Sequence, residues 1–273
     1  MIPYISLGKL NLLGLEVQPF FLLVAIGIVS GVLLYDRICR RGGRIDRRTA
    51  HHVPEICVLG GFIGAHLVHV LFYHPEQLAE DPFALFKFWG GISSIGGFLG
   101  GVGAGWLYLV WKRAPILPYA DRALTGLAAG WFFGRMGCAL SHDHPGRLSE
   151  FPLAVAYPDG SRFDLGLYEF ILTAVILAVL WTLAGKPRRS GTFAAAIALL
   201  YAPLRFLLDF LRAEDVALAD ARYLGLTPAQ YGMLALTALG LVVLYRSRRQ
   251  PEDVAFRGPI SPGPANGGAA GQP

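Results

Sequence analysis

The residues able to do chemistry gather around one stretch, Gly134-Arg135-Met136-Gly137-Cys138-Ala139-Leu140-Ser141-His142-Asp143-His144-Pro145-Gly146-Arg147. It begins in an apolar segment and ends in a polar one. Arg135 follows Leu-Ala-Ala-Gly-Trp-Phe-Phe at 127–133, where lipid-depth residues are expected. An arginine at that depth costs roughly 3 kcal/mol on insertion scales, so it pairs with an acid or faces a polar cavity. His142 or His144 could serve as general acid or base near neutral pH, oriented by Asp143 or Glu169. A second charged face lies at Arg205, Asp209 and Arg212, which share one side of a helix at i, i+4 and i+7. Arg205 and Asp209 have the spacing of an intrahelical ion pair. Arg135, Arg147, Arg205 and Arg212 together suit a phosphate, because the guanidinium presents a fixed fork of donors. At a membrane boundary the available phosphates are lipid headgroups. The chemistry this implies is displacement on a lipid, with a cationic pocket stabilising the leaving phosphate.

Other readings attach to the same residues. Arg205 and Asp209 could be a structural pair only, and Arg147 a solvated interfacial cation. His142, Asp143 and His144 with Asp164 offer metal-ligand types at a weak spacing. No required metal or organic cofactor is indicated. Cys138, mid-segment, reads as a small packing residue. His66 and His69, three apart in an apolar run, read as helix contacts.

The elements that must position these groups are apolar segments. Spans are expected at 15–35, 53–73, 90–111, 117–141, 167–184, 192–211 and 227–245, each long enough for a hydrocarbon core of about 30 Å. Basic clusters follow the first, third, fifth and seventh, the strongest being Arg37, Arg40, Arg41, Arg44, Arg47 and Arg48. Seven alternating crossings put all four clusters on the cytoplasmic side. The expectation is therefore an all-α, seven-span membrane domain over 1–249, with the N-terminus outside and the C-terminus in the cytoplasm. A Pro/Gly/Ala-rich tail over 250–273 is expected to be disordered. This topology aims Arg135–Arg147, Glu169 and Arg205–Arg212 at the outer half of the membrane. The glycine run from Gly90 to Gly101, including Gly96 and Gly97, serves either close helix packing or a backbone cradle for a ligand.

Composition agrees with a polytopic membrane protein. Hydrophobic residues make up 54% and charged residues 16% of the chain, against about 25% charged in soluble domains. The net charge of +5 sits at the ends of apolar runs and so reports topology rather than nucleic-acid binding. Cys39, Cys57 and Cys138 imply no disulfide framework. No cleavable signal is expected, because the first apolar run is long enough to remain as a span.

Four motifs, in order, give the chain a likeness. They are Gly134-Arg135-Met136-Gly137 closing on Gly146-Arg147, Gly90-Gly91-Ile92-Ser93 with Gly96-Gly97, Leu167-Tyr168-Glu169, and Arg205-Phe206 with Asp209, Arg212 and Asp215. Over residues 12–249 the sequence resembles the prolipoprotein diacylglyceryl transferases of the bacterial inner membrane. The resemblance implies a multi-pass enzyme that moves a diacylglyceryl group from phosphatidylglycerol to the thiol of the lipobox cysteine in a prolipoprotein signal peptide. By carry-over, Arg135 and Arg205 hold the phosphate or the developing charge, and Asp209 and Arg212 shape the same pocket. Glu169, Gly96, Gly97, Gly146 and Arg147 complete the lipid-binding set. The acceptor cysteine belongs to the substrate. The chain departs from the family pattern at several positions. Ile95 stands for a histidine, Cys138 and Ser141 for two asparagines, Asp143 for a glutamate, Gly166 for a glutamine and Phe20 for a tyrosine. His142 and His144 are additional to that pattern and could supply the base. A phospholipid-binding protein without chemistry, or a transferase for a different lipid or acceptor, are the other readings.

Overall fold

A computed structural model describes residues 1–258 except 6–7, 9, 13–14, 88–90, 92 and 216–221. The long helices are α1 (Pro19–Cys39), α2 (Arg47–Val68), α4 (Ser94–Trp111), α5 (Ile116–Ser141), α6 (Leu165–Leu183), α7 (Thr192–Leu208) and α8 (Pro228–Ser247). A short helix, α3 (Pro75–Glu80), and a 3-10 turn (Pro82–Phe86) occupy the loop expected at 74–89. A π-helical turn, His69–Tyr73, extends α2, and a 3-10 turn, Asp209–Leu211, extends α7.

Among the described residues, five segments are long and apolar enough to cross a membrane: Pro19–Cys39, Arg47–Phe72, Leu165–Leu183, Thr192–Leu211 and Pro228–Ser247. Ile95–Trp111 is apolar but shorter. α5 is long enough, at 26 residues, but carries Asp121, Arg122 and Arg135. The molecule is a multi-pass membrane protein, and its outward side chains fit that solvent. Phe21, Leu33, Leu59, Leu99, Trp111, Trp181 and Leu239 are all more than half exposed, an apolar surface that water would penalise and lipid does not.

Close backbone approach builds the bundle. An ideal Cβ on Gly100 would lie 2.3 Å from the Gly60 carbonyl oxygen, and one on Gly64 would lie 2.5 Å from that of Gly96. The same arrangement joins α1 to α5, where a Cβ on Gly27 would meet the Gly130 oxygen at 2.6 Å. Small residues four apart allow this contact between apolar helices, where hydrophobic burial gives no preference over lipid. The glycine-rich run thus packs α4 on α2. Gly96 and Gly97 face Gly64, Val68, Ala65 and Gly61, which is the helix-packing one of the two roles expected for this run. Gly90 and Ile92 of that run lie outside the described residues.

The all-α expectation is corrected to a mostly helical one. The loop after α5 contains β4 (Pro145–Leu148), β5 (Val155–Tyr157) and β6 (Gly160–Asp164), which join β1 (Ile2–Pro3) in a four-stranded sheet of order β1-β5-β6-β4. Gly160, at φ +132°, makes the tight β5–β6 turn. Residues 10–12 and 15–17 form the hairpin β2–β3, so the first helix begins at Pro19 rather than at residue 15. Arg47 and Arg48, expected in a loop, open α2 behind the Asp46 cap, which accepts from the Thr49 amide at 2.8 Å.

The residues expected to begin a free tail instead return to the bundle. β8 (Glu252–Asp253) pairs with β7 (Arg188–Arg189). Asp253 forms a buried ion pair with Arg122 of α5, at 2.8 Å. Arg122 also donates to the carbonyls of Pro118 and Gly42. Residues 259–273 of the expected tail lie outside the described residues. One end of the bundle is thus closed by this C-terminal return. The other end, where α5 and α7 finish and α6 and α8 begin, carries the sheet.

Candidate active site

The helix ends at the sheet side bring three arginines onto two buried carboxylates. Glu169, in the second turn of α6, and Asp209, just past α7, are both 0% exposed. Arg135 Nη2 lies 2.8 Å from Glu169 Oε2, and Arg205 Nε lies 3.0 Å from Glu169 Oε1. The second contact is an ion contact out of line for a hydrogen bond. Tyr201, one turn before Arg205, donates its hydroxyl to Glu169 at 3.0 Å. Arg205 Nη1 donates to Asp209 Oδ1 at 2.8 Å, and Arg212 Nε donates to the same oxygen at 2.9 Å. The Thr227 hydroxyl donates to the other oxygen of Asp209. The five charged side chains therefore form one chain of contacts from α5 through α6 to α7. Trp131 lies under the Arg135 guanidinium at 5.6 Å, a further attraction for the cation.

Local sequence explains the placement. Asp164 caps α6 by accepting from the Leu167 amide at 2.9 Å, which fixes Glu169 one turn inside. Thr227 and Gln230 form a reciprocal capping box at the start of α8, and the same Thr227 hydroxyl reaches Asp209. Gly166 lets α6 approach α5, since a Cβ there would lie 3.0 Å from the Cys138 backbone. Gly146 does the same at the end of α7. A Cβ on it would sit 2.6 Å from the Leu211 oxygen, and it bridges to Arg212 through the backbone.

The two histidines separate. His142 ends α5 in the left-handed region, at φ +50°. Its Nδ1 lies 2.5 Å from Asp164 Oδ2, and its ring stacks on Tyr4 at 4.4 Å. Tyr157 donates to the same Asp164 oxygen at 3.0 Å. The acid beside His142 is therefore Asp164, while the expected Asp143 pairs with His144. His142 sits in a closed aromatic and acidic cluster rather than among the arginines. His144 is the more open imidazole, 29% exposed at its side chain, and Asp143 is its partner. Cys138, Asp143 and His144 present ligand atoms all within 4.8 Å of one another. Arg135 lies one turn before Cys138 on α5.

Arg147 does not join the buried network. Its guanidinium lies over Phe163 at 5.9 Å. It lines an open depression of about 400 Å³ with Leu148, Phe210, Arg212, Glu214 and Asp215. Arg212 is the shared member, linking that mouth to the buried pair. Beside it, Arg162 of β6 holds Asp215 at 2.7 Å and Asp159 at 2.9 Å. Its hydrogen bonds keep both carboxyls below their ordinary range.

Sequence reasoning brought Arg135, Glu169, Arg205, Asp209 and Arg212 to one level, and the structure joins them. It missed Tyr201, Thr227 and Arg162. Tyr201 was legible as the i−4 neighbour of Arg205, and Thr227 as the first residue of a Thr-x-x-Gln cap. Nothing in the sequence pairs Arg162 with Asp215 across 53 residues.

Comparison with known proteins places this arrangement in context. The family profile described as prolipoprotein diacylglyceryl transferase matches residues 9–246. A phosphatidylglycerol–prolipoprotein diacylglyceryl transferase of Chromohalobacter salexigens is 35% identical over 202 residues, 72% of this chain and 76% of its own. The Nitratidesulfovibrio vulgaris (Miyazaki F) protein of the same name is 31% identical over 89% of this chain and 94% of its own. The one from Legionella pneumophila (Lens) is 30% identical over 90% and 98%.

Proposed function

The chain belongs to the prolipoprotein diacylglyceryl transferase family, and from that membership we propose that it transfers a diacylglyceryl group from phosphatidylglycerol to the lipobox cysteine thiol of lipoprotein precursors. The observation that carries the reading is the set of three arginines on two buried carboxylates at the sheet end of the bundle. These five side chains hold three positive and two negative charges, a residual cation suited to a phosphodiester.

In the reaction, the acceptor sulfur attacks the glyceryl carbon that bears the phosphate oxygen. The C–S bond forms, the C–O bond breaks, and glycerol phosphate leaves with the electron pair. Arg135 and Arg205 stabilise the charge gathering on the departing phosphate, and their donors are held in place beforehand by Glu169 and Asp209. Arg212 and Arg147 line the mouth through which the headgroup enters. The Asp143–His144 pair, on the turn between α5 and β4, faces the acceptor thiol, and Gly146 holds the strand that follows. The protein lies in the bacterial inner membrane with seven crossings, the N-terminus and the sheet outside and the C-terminus in the cytoplasm. The basic ends of alternate segments support that orientation.

The test is reconstituted transfer. Purified protein with phosphatidylglycerol and a lipobox-cysteine peptide should add one diacylglyceryl mass to the peptide, and Arg135→Ala should remove the product. Ile95, an exposed apolar side chain where the family pattern has histidine, favours a second reading, lipid binding without turnover. Folded protein that binds phosphatidylglycerol and gives no mass shift would select it.

A further inference from the structure

The left-handed residue His142 reverses the chain after α5 and returns Asp143 and His144 toward the final turn, where Cys138 is buried. A thiol, a carboxylate and an imidazole thereby meet, with ligand atoms within 4.8 Å of one another. Tetrahedral zinc, with bonds of about 2.0–2.3 Å, holds its ligand atoms about 3.5 Å apart. The remaining closure of about an ångström falls on Asp143 and His144, whose side chains are 44% and 29% exposed on a turn. We propose that Cys138, Asp143 and His144 form a three-ligand site for a divalent metal ion of the zinc class, whose open fourth position takes the thiolate of the acceptor cysteine.

Four observations converge on this assignment. The donors are sulfur, nitrogen and carboxylate oxygen, the set zinc takes, and three protein ligands with an open position is the arrangement of reactive rather than structural zinc. A divalent ion with one thiolate and one carboxylate is neutral, which suits a site at the edge of the hydrocarbon. Two of the members depart from the family pattern, Cys138 for an asparagine and Asp143 for a glutamate. Finally, Arg135 stands one helical turn before Cys138 on α5, so the metal would lie on the turn next to the cation assigned to the leaving phosphate.

The second half of the proposal rests on the transferase reading. The acceptor S–H gives its proton to water at the exposed side of Asp143, and the metal holds the resulting thiolate. That thiolate then attacks the glyceryl carbon as the C–O bond to phosphate breaks. The metal remains divalent throughout. A bound metal ionises a thiol at neutral pH without a strong base nearby.

Purified full-length protein in detergent is titrated with Co²⁺ alone and watched for a thiolate-to-cobalt charge-transfer band in the near ultraviolet. One equivalent should bind, be displaced by Zn²⁺, and lose its band in Cys138→Ser and His144→Ala. Cys57→Ser and the doubly substituted His51→Ala, His52→Ala protein serve as folded controls and should keep it. Loss of a ligand should cost more than the roughly 10–100-fold that loss of an outer-shell partner costs. A folded parent with no thiolate band, or a band that survives Cys138→Ser, overturns the site. A lipobox peptide should intensify the band and its Cys→Ser analogue should not; an unchanged spectrum overturns the open position. Full transfer activity in chelator-treated, metal-free protein overturns the metal's part in the reaction. A normal cobalt band without any transfer would instead sink the transferase reading and leave the metal site standing.

Discussion

Glu169 holds Arg135 and Arg205 with no solvent exposure of its own. Removing it leaves Arg135 without its acid and Arg205 with Asp209 alone. Truncating one partner of a buried pair costs about 3–5 kcal/mol, so Glu169→Ala should unfold at markedly lower temperature in a detergent melt. Glu169→Gln keeps the shape and should lose less stability while still losing transfer. Arg205→Lys offers a finer comparison. Lysine has one point charge where arginine spreads donors over Glu169 and Asp209, so the variant should fold and turn over at least about tenfold more slowly, a barrier higher by about 1.4 kcal/mol. Equal activity of Arg205→Lys and the parent would show that the fork geometry is unused. His142 and His144 should part company as well. His142→Ala breaks a structural cluster with Asp164, Tyr4 and Tyr157 and should lower the melting temperature. His144→Ala should leave it nearly unchanged and abolish the mass shift.

Among the elements, α2 and α4 meet through backbone. Gly100→Val puts atoms where the Gly60 oxygen already lies. It should cost about 3 kcal/mol, the upper end of the overpacking range. Gly103→Ala, on the same helix with nothing within 4 Å of its Cβ, should be neutral or stabilise by up to about 1 kcal/mol. The sheet end should respond to acid. Asp159 and Asp215 titrate below the ordinary carboxylate value because Arg162 donates to both. Their contribution is fully present above the unfolded value of about 4 and is lost as pH falls through the lowered folded values. Hydrogen exchange at β6 should therefore quicken between about pH 4 and more acidic solution, and Arg162→Gln should remove that dependence.

These elements were unequally legible in advance. Long apolar runs such as 167–184 and 227–245 specify helices whatever their neighbours, and the structure keeps them within a few residues. The strands were not legible, because β5 has three residues and β6 five. So short a run carries no periodicity, and a turn signal such as Pro158-Asp159-Gly160 says only that the chain reverses. The arginine network was readable in part. Arg205 and Asp209 announce their pairing by spacing, whereas Glu169 met Arg135 only after alternating crossings were assumed. Asp253 was lost in a Pro- and Gly-rich stretch, where one acid has no pattern to mark its buried partner 131 residues away.

At the scale of the molecule, the membrane orientation and the C-terminal return are separate matters. If the basic ends face the cytoplasm, reporters fused after residues 43, 113 and 187 should act as cytoplasmic markers, and one placed near residue 150 as an external marker. The opposite pattern would reverse the proposed topology. Truncation after residue 249 removes Asp253, the carboxylate that meets the fully buried Arg122. It should destabilise the protein by about 3–5 kcal/mol, as an orphaned buried charge does. Truncation after residue 258 removes no described contact and should melt with the full-length chain.

That return also sets a schedule. In the proposed topology Arg122 enters the membrane with α5, yet its acid partner is synthesised only after α6, α7 and α8. Through the insertion of three further helices the nascent bundle carries an unneutralised arginine and an unfinished end. That end closes only with the arrival of one carboxylate after α8. A protein stalled or cut before it would remain an open bundle with a buried cation, a state that membrane proteases can tell from the finished one.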